Sequence, residues 1–269
     1  MTSTAAEARP GILARARRLR AQVAASRHEH REGGVRDVGA VIVAGGRSTG
    51  VDLSPDRSWL TLAGRSLAAR ALEPLLRLPS LARVAVVVEP ADVPELQVVL
   101  AKELPRVVVQ VVPAAGPPAR SLHQALTTLL APGDLEVVLV HDTAWALASR
   151  HLVHEVVDGA RSYGAAAPCL ARAPEIWLGP DGAATLAPLD RNDVLVQMPQ
   201  GFHAADLLRH YDREEQLGYP AASPLEVYER HSGRRVRALP GESRNVRISC
   251  AEDVFVAEQL LTRSGFSSG

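Results

Sequence analysis

The sequence predicts an α/β protein with a mostly parallel sheet flanked by helices. Three observations carry that expectation. Continuous apolar runs recur along the chain without polar alternation, as strands buried on both faces do. Segments whose apolar residues fall at helical spacing alternate with those runs. The chain has 269 residues, 46% of them hydrophobic, enough to fill a substantial core.

The rhythm starts at Val38. Residues 1–37 are rich in Ala and Arg and have no strand pattern. Ile12, Leu19 and Val23 fall at helical intervals before Gly33-Gly34, so this extension reads as mobile or as a short helix. The domain is expected over 38–265. Val38–Ala44 reads as its first strand, followed by the Gly-rich turn Ala44–Gly50. Leu67–Leu76 then reads as helix, Val84–Val88 as strand, Pro94–Lys102 as helix and Arg106–Val112 as strand. Ser121–Leu130 reads as helix, Leu135–Val140 as strand, Leu152–Arg161 as helix and Ala165–Leu170 as strand. Sheets of this kind bind ligands outside the carboxyl ends of their strands, which directs attention to the loops after Ala44, Val112, Val140 and Leu170.

After Leu170 the alternation breaks. Glu175–Leu178 and Val194–Gln197 are short strand candidates around Gly179-Pro180-Asp181-Gly182, a strong turn signal. They read as a projecting hairpin, an arm over about 172–197 that can grip a second subunit. Helices near Ala204–Glu214 and Pro224–His231, a strand near Arg235–Leu239 and a closing helix over Ala251–Leu261 complete the chain. Glu252 and Asp253 in the first turn of the last helix suit its dipole.

Formal net charge is zero, which argues against bulk attraction to nucleic acid or membrane. No apolar run is long enough to span a bilayer. Two cysteines, Cys169 and Cys250, share no metal-ligand spacing and fit a reducing cytoplasm. Lys102 is the only lysine, so a phosphate site here would draw its cation from arginine.

Three sets of residues can carry chemistry. The loop Ala44-Gly45-Gly46-Arg47 follows a buried strand, where glycines let backbone N–H groups approach phosphate oxygens and Arg47 can add charge-assisted bonds. Asp142, after His141, closes the fourth strand. It can hold Mg²⁺ or cap the segment that follows; His141 reads as structural. Arg57, Arg191 and Arg247 lie in loops or at strand edges and are candidate phosphate binders. Ser121 opens a helix.

Taken in order, these motifs resemble the methylerythritol phosphate cytidylyltransferase family of the non-mevalonate isoprenoid pathway. That family shows a V-x-P-A-A-G loop, a Lys after it, a Ser at a helix start, H-D-A-A-R-P, D-R-N before T-P-Q, and N-I-K-V-T. This chain has Val41–Gly46, Arg57 before Trp59-Leu60, Ser121, His141-Asp142-Thr143-Ala144, Asp190-Arg191-Asn192, Pro199-Gln200-Gly201-Phe202 and Asn245-Val246-Arg247-Ile248-Ser249. The resemblance implies a Rossmann-like fold with a β-hairpin dimerisation arm. It also implies transfer of CMP from CTP to a phosphorylated sugar alcohol with release of pyrophosphate. Ala44, Gly45, Gly46 and Ser121 would then hold CTP. Asp142 would hold Mg²⁺ or another divalent cation, and Arg57, Arg247 and Arg47 would brace the phosphates. Arg191 would reach the acceptor phosphate across a homodimer interface.

The chain departs from the pattern at several positions. Gly50 stands where the loop's arginine falls, and Arg57 and Arg247 stand for lysines. Trp145-Ala146 replaces Arg-Pro, and Ala171-Arg172 falls where Asp-Thr is expected. Met198 replaces a threonine, and Ala221-Ala222-Ser223 replaces an acidic stretch. Because most of these changes fall on the acceptor side, two other readings stay open. One is a nucleotidyltransferase with a different phosphorylated acceptor. The other is a catalytically impaired homologue that binds nucleotide and regulates or scaffolds.

Overall fold

The structure, a computed structural model, describes residues 35–44, 60–105, 107–171, 176–178, 184–186, 194–219, 221 and 223–262. Strand β1 (Val38–Val43) has no polar side chain, so water on either face would be costly. It accordingly runs mid-sheet, parallel to β4 (Leu81–Val88) on one side and to β6 (Val137–Asp142) on the other. A short hairpin, β2 (Thr61–Leu62) and β3 (Arg65–Ser66), lies between β1 and β4 in sequence. Strand β5 (Gln110–Pro113) extends the sheet beyond β4, again in parallel.

The strand expected over Arg106–Val112 starts later, at Gln110. Val107 N–H is taken by Leu104 O (3.0 Å) as the preceding helix ends, and Val108 is 94% exposed. Arg106 lies outside the described residues.

Beyond β6 the sheet becomes mixed. Strand β7 (Ala165–Ala171) runs antiparallel to β10 (Val194–Val196), near its carboxyl end, and to β11 (Gln200–His203), near its amino end. Strand β11 also pairs antiparallel with β6, and β12 (Arg237–Pro240) pairs parallel with β7. The order is β10-β7-β11-β6-β1-β4-β5, with β12 also on β7.

Strand β11 is a finding the sequence reading lacked. Gly201 explains how it fits: a Cβ there would lie 2.8 Å from Val156 Cγ1 and 2.9 Å from Val156 O, so the strand can approach its covering helix only without a side chain. The expected hairpin around Gly179–Gly182 has a different partner strand. Strand β8 (Ile176–Leu178) pairs with β9 (Ala184–Leu186) as a separate two-stranded sheet, while Val194–Val196 joins β7. The turn residues themselves lie outside the described residues.

Helices cover both faces. The first, α1 (Leu67–Leu76), starts where Ser66 Oγ accepts a hydrogen bond from Ala69 N–H (3.2 Å). After α2 (Val93–Glu103) and α3 (Pro118–Leu130), α4 (Arg150–Tyr163) starts at Ser149, whose Oγ accepts from Leu152 N–H (3.0 Å). Gly164, with φ +84°, ends α4. Three helices follow: α5 (Ala204–Gln216), α6 (Pro224–Ser232) and α7 (Ala251–Thr262). Leu72, Leu75, Val153 and Val157 of α1 and α4 pack on Ile42 and Leu139. Leu126, Leu207, Tyr211 and Tyr228 of α3, α5 and α6 pack on Val41, Val138, Val140 and Phe202 on the other face. Every element above belongs to the unit that starts at Arg36; residues 1–34 lie outside the described residues. Among the described residues no helix is long and apolar enough to cross a membrane.

One buried charge fixes the segment between α5 and α6. Glu214 is fully buried, yet its carboxylate accepts from Ala221 N–H (2.7 Å) and Arg230 (3.1 Å) and contacts His231 Nε2 (2.5 Å). Glu214→Gln keeps an acceptor for Ala221 but removes the charge that Arg230 and His231 face. It is expected to destabilise the fold by about 2 kcal/mol, since breaking one side of a buried ion pair is costly. Denaturant unfolding checks this, and an unchanged midpoint would contradict it.

Candidate functional site

The chain builds β1, β4 and β5 outward on one side and then crosses to β6 on the other, which makes the β1/β6 boundary a topological switch point. Their carboxyl ends lie level there, with Val43 paired to Asp142. Ala44, fully buried, follows β1, and its N–H donates to Val87 O (2.8 Å). Gly45, Gly46, Arg47, Gly50 and Arg57 lie outside the described residues, as do Asp190, Arg191, Asn192, Arg172 and Ala222.

The loop after β5 lies at the same edge, because Ala114 N–H donates to Val88 O (2.7 Å). Ser121, in the first turn of α3, draws this loop back on itself. Its Oγ accepts from Ala115 N–H (3.0 Å) and donates to Gly116 O (3.2 Å). Gly116 takes φ +112°, a conformation that favours glycine. The Ser121 proton is thus committed to the loop, and one acceptor lone pair remains.

Asp142 ends β6 and caps the short 3₁₀ turn Thr143–Trp145, accepting from Ala144 N–H at 2.8 Å. This is the capping geometry the sequence allowed, and it leaves the carboxylate at the sheet's carboxyl edge. His141 points to the opposite face and is fully buried. Burial pushes its pKa down to about 3, so the ring is neutral and cannot act as a cation. Neither ring nitrogen has a hydrogen-bond partner among the described residues. Trp145, at the family's arginine position, is only 6% exposed and belongs to the core.

Arg247 reaches this region on the loop after β12. Ile248 N–H donates to Ala144 O (2.8 Å), which joins that loop to the turn after Asp142. The loop is held from below by Gln197, 1% exposed. Gln197 Nε2 donates to Glu242 O (2.8 Å) and Asn245 O (2.7 Å), and its Oε1 accepts from Glu242 N–H (2.9 Å). Asn245 Nδ2 donates to Met198 O at 2.7 Å. Nothing local in the sequence marks Gln197 as part of a site; its side-chain bonds join segments distant along the chain. Arg247 Nη2 is buried and has no hydrogen-bond partner among the described residues. Such a donor is costly to leave unpaired and suits a phosphate oxygen.

The structure therefore brings Ala44, the Ser121 loop, Asp142 and Arg247 to one edge of the sheet. They supply a carboxylate, a guanidinium and backbone amides, and no nucleophile–base pair. Burial raises the pKa of the Cys169 thiol, and a hydrogen bond to Glu252 raises that of Cys250, so neither is an activated thiolate. Among the described residues no group of three or more His, Cys, Asp or Glu side chains is placed to hold a metal ion by itself.

Comparison with known proteins agrees with this arrangement. The family model described as IspD, 2-C-methyl-D-erythritol 4-phosphate cytidylyltransferase, matches residues 38–263. The 2-C-methyl-D-erythritol 4-phosphate cytidylyltransferase of Geobacillus kaustophilus is 28% identical over 223 residues, 82% of this chain and 96% of that protein. The protein of the same name from Desulforamulus reducens is 27% identical over 226 residues, 83% of this chain and 95% of its own length. The crystal structure of that enzyme from Thermus thermophilus superposes with a TM-score of 0.65 at 25% identity, covering 82% of this chain and 98% of that one. The 4-diphosphocytidyl-2C-methyl-D-erythritol synthase of Anaerococcus prevotii has the same fold, with a TM-score of 0.69 at 19% identity over 85% of this chain and 97% of its own. With a family model matched along nearly all of the domain, the chain belongs to the 2-C-methyl-D-erythritol 4-phosphate cytidylyltransferase family.

Proposed function

We propose that the protein transfers CMP from CTP to a phosphorylated sugar alcohol, methylerythritol phosphate, and releases pyrophosphate. The acceptor is the one its relatives are named for. The observation that carries this reading is the buried Nη2 of Arg247, which has no hydrogen-bond partner among the described residues, on a loop tied to the turn after Asp142.

The chemistry asks little of acid–base groups. A phosphate monoester is largely ionised at neutral pH, so its oxygen attacks without a general base. That oxygen bonds to the α-phosphorus of CTP. The bond from this phosphorus to the oxygen bridging to the β-phosphate breaks, and pyrophosphate leaves with the electron pair. What the protein supplies is position and opposite charge. Arg247 braces phosphate oxygens, and the loop held by Ser121 presents amides to the nucleotide beside Ala44. On sequence resemblance alone, Gly45 and Gly46 are assigned to the nucleotide, Arg47 and Arg57 to the phosphates, and Arg191 to the acceptor phosphate across a homodimer interface.

Asp142 fits Mg²⁺ in kind: it is a hard oxygen donor at the switch point, and Mg²⁺ commonly takes one or two carboxylates together with substrate phosphates. When bound, the ion would neutralise charge on the nucleotide phosphates. Cys169 and Cys250 are free thiols, which suits the cytoplasmic location proposed here.

Calorimetry with CTP, ATP, GTP and UTP is expected to show selective CTP binding that Mg²⁺ tightens by about tenfold or more, roughly 1.4 kcal/mol. The absence of any nucleotide binding would overturn the reading. Light scattering at micromolar concentration is expected to give about twice the 28.7 kDa chain mass. A monomeric mass would remove the proposed interface.

A further inference from the structure

A cavity opens beside the segments that follow the turn after Asp142 and precede Arg247. It has a volume of about 580 Å³ and opens between α1, residues 146–150 after β6, residues 241–244 after β12, and the end of α7. None of Ala44, Ser121, Asp142 or Arg247 lines it. Its size is that of a small-molecule site.

The lining is one-sided in charge. Arg70, Arg77, Arg150 and Arg244 all border the cavity, in a protein whose formal net charge is zero. Among the described lining residues two carboxylates accompany them, and both are engaged. Glu73 accepts from Arg65 (3.1 Å) and Arg77 (2.8 Å), and Glu242 accepts from the backbone N–H and hydroxyl of Ser149. Arg70 donates to the carbonyls of Leu62 (3.1 Å) and Ala63 (2.9 Å) and lies 4.0 Å from Glu73. Arg150 and Arg244 have no ion-pair partner among the described residues. The lining also includes the apolar side chains of Pro74, Ala148 and Leu261.

We propose that this cavity binds a small phosphate or diphosphate ester carrying a short apolar chain. Guanidinium groups pair with phosphate oxygens in bidentate fashion, and several converging on one dianion relieve their mutual repulsion. The apolar side chains take the chain and separate such an ester from inorganic phosphate. The two walls are held together by the Ser149–Glu242 hydrogen bonds, so the cavity is formed before any ligand arrives. This site does not depend on the cytidylyl-transfer reading.

The test is calorimetry on the full chain with hexyl phosphate and with inorganic phosphate. Hexyl phosphate is expected to bind at least tenfold more tightly than inorganic phosphate. The double variant Arg150→Ala, Arg244→Ala should weaken it at least tenfold. Both side chains are exposed, so the variant is expected to fold, and circular dichroism verifies that. Arg247→Met should leave the affinity unchanged. No binding, equal binding of the two phosphates, or loss with Arg247→Met but not with the double variant would each overturn the proposal. The last result would assign the ligand to the carboxyl-edge site.

Discussion

Asp142→Asn is expected to lower Mg²⁺-dependent cytidylyl transfer by about 10³-fold, roughly 4 kcal/mol of transition-state stabilisation. The substitution is close to isosteric. An amide Oδ1 can still accept from Ala144 N–H, now at 2.8 Å from the carboxylate, so the 3₁₀ turn and the Ile248–Ala144 bond persist. Pairing of Val43 with Asp142 uses only backbone. What disappears is the negative charge, and with it the affinity for a hard dication. Steady-state rates across a Mg²⁺ titration check this, with the thermal midpoint as control for folding. Unchanged turnover at every Mg²⁺ concentration would remove Asp142 from the mechanism. A loss restored at high Mg²⁺ would locate its role in metal affinity.

Much of the fold was legible because its central strands obey one simple rule. Val38–Val43 and Val84–Val88 are apolar throughout, since parallel strands between two helical layers have no wet face. The helix Leu67–Leu76 lies where its spacing put it, started by Ser66. Strand β11 escaped notice for a physical reason. Gln200-Gly201-Phe202-His203 has neither an apolar run nor clean alternation, because it is short and lies against antiparallel partners on both edges. The one usable hint was Gly201, which the close approach of α4 requires. The partner of Ile176–Leu178 was equally hidden: Ala184–Leu186 is only three residues long, and the edge of β7 competes for Val194–Val196.

The site divides in the same way. Asp142 and Ala44 could be placed from sequence because each follows a recognisable strand, and strand ends define the ligand edge. Gln197 could not. Its three side-chain hydrogen bonds reach 45 and 48 residues along the chain, and no spacing rule reports such bonds. It matters because a cation with a fixed position stabilises developing charge without reorganising during the reaction. His141 was read as structural, and the structure adds the reason: full burial keeps the ring neutral.

Arg247→Met is expected to cost about 10²-fold in kcat/KM, close to 3 kcal/mol, while Arg247→Lys should stay within about tenfold of the unsubstituted protein. Methionine preserves an apolar stem and removes every donor. If the buried Nη2 has a phosphate oxygen as its natural partner, that donor contributes only when substrate is bound, so the variant should lose activity and not stability. The loop itself does not depend on the guanidinium. Gln197, Asn245 and the Ile248–Ala144 bond hold it, and none of those bonds uses the Arg247 side chain. Lysine restores a point charge without the planar fork, which makes the pair of variants informative. Activity in the lysine variant with loss in the methionine variant assigns the role to charge. Equal loss in both assigns it to fork geometry, and full activity in the methionine variant excludes Arg247 from phosphate binding altogether.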